Sequence, residues 1–398
     1  MVAVLSSPRK RSFLRSVFAI GALALVAACD PVALTPSSVG GGGTGQQIHA
    51  GKPVTVALLV PRTDANAGRI AGSLENAARL AIADLEGVKI DLRVYDTGGT
   101  AAQAASVAQL AADDGAKVIL GPLFGEAANA AGVAVADDNI NVLTFSNNPS
   151  IAGGNVFILG STFRNTANRL TSYMRRNGRN SMVILHSRDV PGQFGRSAIQ
   201  AAAAQQGVRV NATIGYDLNQ DSLDSAMTQA AGAVTQTGAS TVMMTADYDG
   251  ALSFILDLLP SKGVSPETTT FAGLTRWDVR PDAFNFRGMQ NSLFALPDQS
   301  RVAQFRARYA DAYGSAPHQL AGLAYDGIAA IGALVAQGNS DALTSRRIMQ
   351  SQGFQGVSGV FRFLPDGTNE RGLAVASIKD RQVVILEPAP RSFSGAGF

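Results

Sequence analysis

VTVALLV (Val54–Val60), then GRIAGSLENAARLAIADLE (Gly68–Glu86), then VKIDLRVY (Val88–Tyr95) decide the fold of this 398-residue chain. The first stretch is an unbroken apolar, β-branched run, as in a strand buried on both faces. The second puts Ile70, Leu74, Ala77, Ala81 and Leu85 on one face at helical spacing. The third alternates as a strand. Strand, helix and strand in this order build a parallel sheet.

Working outward, the same alternation continues. Ala101–Asp114 reads as an Ala-rich helix stopped by Gly115, which suits a helix end. Lys117–Leu120, Val142–Phe145 and Val156–Leu159 read as strands, with a helix over Glu126–Asp138. The pattern then restarts. Arg164–Asn177 is a helix with Arg175 and Arg176 in its last turn, where the helix dipole favours cations. Strands at Met182–His186, Val208–Tyr216, Thr241–Thr245 and Thr269–Ala272 alternate with helices at Gly195–Gln206, Ser222–Gln236 and Gly250–Leu259. No fixed-period repeat relates the halves. The expectation is an α/β protein of two doubly wound parallel-sheet lobes joined by a hinge.

The expected divisions are a first lobe over 53–163 and a second over 164–296. Residues 297–352 return to the first lobe through helices Arg301–Tyr313 and Leu320–Gln337 and a short third at Ser345–Gln352. Residues 353–387 are expected as closing strands on the second lobe: Gly359–Phe363, Leu373–Lys379 and Gln382–Leu386. Asp366-Gly367 and Asp380-Arg381 are their turns. Residues 388–398 read as a loose tail.

The N-terminus carries a different kind of information. Arg9, Lys10, Arg11 and Arg15 precede an apolar run from Phe18 to Val26, which closes on small residues before Cys29, the only cysteine. That is the layout of a secretory signal over 1–28. The apolar run is well short of the ~20 residues a membrane span needs. Residues 29–52, with Pro31, Pro36 and Gly40 to Gly43, read as a flexible tether spanning roughly 25 Å. Removing the four basic residues of the signal takes the formal charge from +3 to −1, which leaves no electrostatic case for nucleic acid. The single thiol excludes internal disulfides, and the three histidines, His49, His186 and His318, are scattered. No metal or other cofactor is expected.

Catalytic signatures are missing: there is no G-x-S-x-G elbow and no H-E-x-x-H. What remains is the set of loops at the carboxyl ends of the parallel strands, where open α/β sheets bind ligands. The candidates are Thr63, Phe124, Gly125, Ser146, Asn147 and Asn148 from the first lobe. The second lobe offers Phe194, Asp247, Tyr248, Arg276 and Trp277. Polar groups between aromatic walls suit a small-molecule cleft.

Several stretches resemble known families. V-A-A-C (Val26–Cys29) resembles the lipobox of bacterial lipoproteins, which implies signal cleavage and a lipid on Cys29. Asp30 resembles an inner-membrane retention signal of enteric bacteria; the leaflet is left open. V-A-L-L-V-P (Val56–Pro61), Asp96–Thr100, V-I-L-G-P-L-F (Val118–Phe124), V-L-T-F-S-N (Val142–Asn147) and F-Q-G-V-S-G-V-F-R-F (Phe354–Phe363) resemble the type 1 periplasmic binding fold, as in Leu/Ile/Val-binding proteins.

Within that fold two families compete. Amino-acid receptors of ABC transporters hold the α-carboxylate and amine with hydroxyls after strands three and four, a second-lobe tyrosine and an acid. At the matching positions this chain has Phe124–Gly125 where a serine is expected, Phe194 where the tyrosine often stands, and Arg276 near the place of the acid. Penicillin-binding-protein activators are lipoproteins of the same fold, and G-P-L-F (Gly121–Phe124), F-S-N (Phe145–Asn147) and the lipobox look more like this group. The first expectation is therefore a lipid-anchored, non-enzymatic periplasmic activator whose partner is a peptidoglycan synthase. The alternative is an amino-acid or related small-solute receptor whose partner is an ABC permease.

Overall fold

The computed structural model describes residues 45–49 and 51–393. The signal segment, Cys29 and most of the tether lie outside the described residues. Among those described, no helix is long and apolar enough to cross a membrane.

The first lobe runs β1 (Val54–Val60), α1 (Gly68–Ala83), β2 (Ile90–Asp96), α2 (Ala101–Asp113), β3 (Val118–Leu120), α3 (Gly125–Ala134), β4 (Asn141–Thr144) and β5 (Val156–Ile158). Its five strands are parallel, in the order β2-β1-β3-β4-β5. The strand order reverses between β1 and β3, so loops on either side part there. Val56, Leu58 and Val60 face one core and Ala57 and Leu59 the other, which is why β1 shows no polar alternation.

The second lobe runs α4 (Phe163–Arg176), β6 (Ser181–Ser187), α5 (Val190–Gln206), β7 (Arg209–Tyr216), α6 (Gln220–Thr237), β8 (Thr241–Met244), α7 (Leu252–Ser261) and β9 (Thr270–Gly273). Its parallel sheet has the order β7-β6-β8-β9. A short strand that sequence reading missed, β10 (Phe294–Leu296), follows three 3-10 turns. A parallel bridge from Ala272 to Leu293 continues the sheet towards it.

The chain then returns to the first lobe through α8 (Gln299–Tyr313), α9 (Ala321–Val335) and α10 (Ser345–Ile348). Phe305, Tyr309, Ile328 and Ile331 join the first lobe's core. The strands after them divide, which corrects the expectation for 353–387. β11 (Phe354–Gly356), β12 (Gly359–Phe363) and β13 (Asn369–Arg371) form their own antiparallel sheet. Phe354, Phe361 and Phe363 are buried in the first lobe's core. Only β14 (Ala374–Lys379) and β15 (Gln382–Glu387) join β10 on the second lobe. The Asp366-Gly367 turn therefore leads into β13, not into β14. The Asp380-Arg381 turn joins β14 to β15 as expected, both residues having positive φ (50° and 61°).

The loose-tail expectation fails for 388–393. The Gln355 Nε2 amide donates to the Arg391 carbonyl at 3.2 Å, and the Arg362 guanidinium stacks 4.4 Å from the Phe393 ring centroid. The segment thus runs from the second lobe's β15 onto the strands that pack with the first lobe.

Ahead of that segment, three crossovers join the lobes among the described residues: Leu159–Thr162, Pro297–Asp298 and Gly372–Leu373. They are knitted by short contacts. Asn369 Nδ2 donates to the carbonyls of Ile158 and Gly160, each at 2.8 Å. Arg371 Nη2 donates to the Leu159 carbonyl at 2.6 Å, and Asp298 N to the Ser358 carbonyl at 2.9 Å.

Candidate functional site

A cavity of about 700 Å³ lies against these crossovers, with walls from both lobes. That is the size of a small-molecule site. The first lobe supplies the loops after β3 and β4, the second lobe supplies Leu274 and Arg276 after β9, and Gly160, Ser161, Pro297 and Leu373 come from the crossovers. Another concavity, of about 850 Å³, lies on the second lobe alone beside the starts of α6 and α7.

Six of the candidate residues meet in the inter-lobe cavity: Phe124, Gly125, Ser146, Asn147, Asn148 and Arg276. Their placement follows from the local chain. β3 ends at Leu120, and α3 starts five residues on with Phe124 as its N-cap residue. Phenylalanine has no acceptor, so the first turn lacks a side-chain cap. The first intrahelical bond is made by Ala128, to the Phe124 carbonyl, which leaves the amides of Gly125 and Glu126 available at the positive end of the helix dipole. Ser146, only 6% exposed, stands beside them. Its Oγ lies 3.4 Å from where a Cβ on Gly125 would be, and it accepts from Asn148 N at 3.1 Å. The hydroxyl hydrogen has no acceptor among the described residues. Asn148 is engaged through Oδ1 with Ser150, whereas the exposed Asn147 side chain makes no hydrogen bond among the described residues. Phe124 itself, 39% exposed, forms an aromatic wall with the buried Phe145.

From the second lobe, Arg276 forks onto Asp278 through Nε and Nη2. Its Nη1 has no partner among the described residues.

Five candidates stand elsewhere. Trp277 is fully buried in the second lobe's core, because Gly273 leaves a slot for it: a Cβ on Gly273 would lie 2.2 Å from the indole. Tyr248 packs on that same core and donates from its hydroxyl to the Trp277 carbonyl at 2.8 Å. Burial and the nearby charges of Asp282 and Asp278 push its phenol up to about 12. Phe194 is 41% exposed on α5 and lines none of the cavity. The helix begins at Val190, earlier than expected, because Asp189 caps it by accepting from Gly192 N and Pro191 is tolerated in a first turn. Thr63 lines none of the cavity, its amide donating to Asp96. Asp247 is exposed and lines none of the cavity, its carbonyl accepting from Leu252 N. The cavity therefore sits nearer the crossovers than the loop ends alone suggest.

Sequence reading missed the contribution of the crossovers, above all Arg371. It lines the cavity although only 4% exposed. Its Nη1 pairs with Asp326 Oδ2 at 3.1 Å, and its Nε is buried without a partner among the described residues. Asp326, wholly buried, also accepts from Val357 N at 2.7 Å. Burial pushes the Asp326 carboxyl above its ordinary range, against the pull of Arg371. The available signal was Asp326 itself, the lone charge in the apolar Ala321–Val335 run. No cluster of side chains able to hold a metal ion occurs among the described residues.

Comparison with known proteins agrees with this architecture. The family described as periplasmic binding protein matches residues 53–382. No curated sequence matches the chain. Among solved structures, one from Rhodospirillum rubrum attributed to a branched-chain amino acid ABC transporter is similar with a TM-score of 0.70 at 18% identity, covering 84% of this chain and 100% of its own. An ABC transporter substrate-binding protein from Desulfitobacterium hafniense in complex with Leu gives 0.60 at 18% identity, covering 84% and 100%. A solute-binding protein of an ABC transporter from Rhodopseudomonas palustris, in complex with 3,4-dihydroxybenzoic acid, gives 0.54 at 17% identity, covering 85% and 96%. These likenesses show the fold that the family match implies, and the activator reading gains no support from them.

Proposed function

We propose a function from one established premise: the chain belongs to the periplasmic binding protein family. Members of that family bind solutes in the periplasm and do not transform them. On our reading this chain is the substrate-binding component of an ABC importer. It captures a small carboxylate-bearing solute, the broad class to which amino acids belong, and delivers it to a permease. One observation carries this: an inter-lobe cavity where the free Ser146 hydroxyl meets the uncapped start of α3. A hydroxyl and helix-terminal amides together are a carboxylate receptor. The apolar wall of Leu123, Phe124, Phe145 and Leu274 would take the solute's body. Closure of the lobes would be favoured by the extra contacts the solute makes with the second lobe.

The test is thermal stability of the full chain, refolded to remove carried-over solute, against amino acids and other small carboxylates. A solute at 100 times its Kd should add roughly 2.7 kcal/mol. Ser146→Ala should weaken that solute by about tenfold to a hundredfold, the worth of a hydrogen bond to a charged group. A flat response to every small carboxylate would sink the reading.

We further propose that the mature protein is held at a membrane by a lipid on Cys29, which follows the apolar run and small residues of the signal. Cys29→Ala should move the protein from the membrane fraction to the soluble one; unchanged fractionation would exclude the anchor.

A further inference from the structure

The charge pattern of the cavity narrows the solute, and this step rests on the receptor reading above. An α-amino acid brings an ammonium next to its carboxylate, and a buried ammonium needs an acceptor, best a carboxylate. Carboxylates are scarce in the cavity, whose neutral acceptors are the side chains of Asn147, Asn148, Ser161, Thr166, Gln319 and Ser358. Glu126 is the single acidic residue lining it, and Glu126 is exposed to solvent. Asp278 and Asp326, the acids paired with the cavity's two arginines, are already engaged: Asp278 by Nε and Nη2 of Arg276, and Asp326 by the Arg371 guanidinium and the Val357 amide.

Donors, in contrast, are in excess. Arg276 lines the cavity with Nη1 uncommitted, and its side chain is 41% exposed. Arg371 lines it with a buried, unpartnered Nε. The first lobe adds the Ser146 hydroxyl and the amides that open α3. Cationic or helix-terminal donors therefore stand on both sides of a cavity of mixed polar and apolar lining, and each lobe presents a place for an anionic acceptor. A solute with an anionic group at each end matches this arrangement. Arginine, with its planar fork, suits a second carboxylate even while it is paired with Asp278.

We infer that the solute is a small dicarboxylate without an ammonium group. One carboxylate is received by Ser146 and the start of α3, and the other by Arg276 from the opposite lobe. The second contact spans the cleft, so it is the one that draws the lobes together.

The experiment is calorimetric titration of the refolded full chain with glutarate, adipate, 4-methylpentanoate, leucine and glutamate. The dicarboxylates should bind at least about tenfold more tightly than leucine, glutamate or the monocarboxylate. Arg276→Gln should weaken the best dicarboxylate by about tenfold to a hundredfold while leaving 4-methylpentanoate within a factor of about three. Since Arg276→Gln strands Asp278, the double change Arg276→Gln, Asp278→Asn removes the pair together and should show the same selective loss. If leucine or the monocarboxylate binds as tightly as the dicarboxylates, or if neither variant discriminates, the dicarboxylate assignment is overturned and the receptor reading stands. Binding of no compound overturns both.

Discussion

Asp326 sits on α9 with no exposed surface, held by the Arg371 guanidinium and the Val357 amide. Gly356 makes room for it: a Cβ there would stand 2.5 Å from the carboxylate. Removing one member of a buried pair leaves the other charged and dry, which costs more than the pair contributes. Asp326→Ala should therefore lower unfolding free energy by ~3–5 kcal/mol in urea denaturation, and Asp326→Asn by less, because the amide keeps an acceptor for Val357. Equal losses would mean that the bond to Val357 adds nothing and that the charge facing Arg371 is all that Asp326 supplies. At this scale the sequence was informative where a residue's role is set by its neighbours in the chain. Ser146 and Asn147 follow a buried strand, so their place at the carboxyl end of the sheet could be read directly. Trp277 could not be placed in this way, because its slot is made by Gly273 on β9, and only the folded loop lays the ring there.

The parallel strands and most helices were legible because each carries its own periodicity. The short antiparallel pieces were not. β11 and β13 have three residues each, too few for alternation to show. The start of α5 was placed late because Pro191 and Gly192 read as loop, although Asp189 caps them into a first turn. Residues 388–393 carry turn-like composition and no period, yet they are fastened to β11 and β12 by Gln355 and Arg362. That fastening predicts a specific loss. Deleting 388–398 should leave β15 in place but free the two lobes, so that the solute-free protein has a larger radius of gyration by small-angle scattering and closes from a wider angle. An unchanged radius would show that the crossovers alone set the opening.

For the whole molecule, two parallel sheets and their helices could be anticipated from the alternation of elements, and so could a cleft between their carboxyl ends. The position of the cavity along that cleft could not. It depends on the crossovers, which gather residues more than 200 positions apart: Asn369 onto Ile158 and Gly160, Arg371 onto Leu159. Placed against these crossovers, the cavity lies close to the axis about which the lobes would swing. Points near a pivot travel little. A solute there meets most of its partners before any swing begins, and only a small arc is left to complete the second-lobe contact. Parts of the cleft farther from the crossovers sit at the end of a longer lever and would sweep further. On the receptor reading proposed above, a slight adjustment beside the solute would thereby be magnified into a large displacement of the outer lips, which a permease could sense.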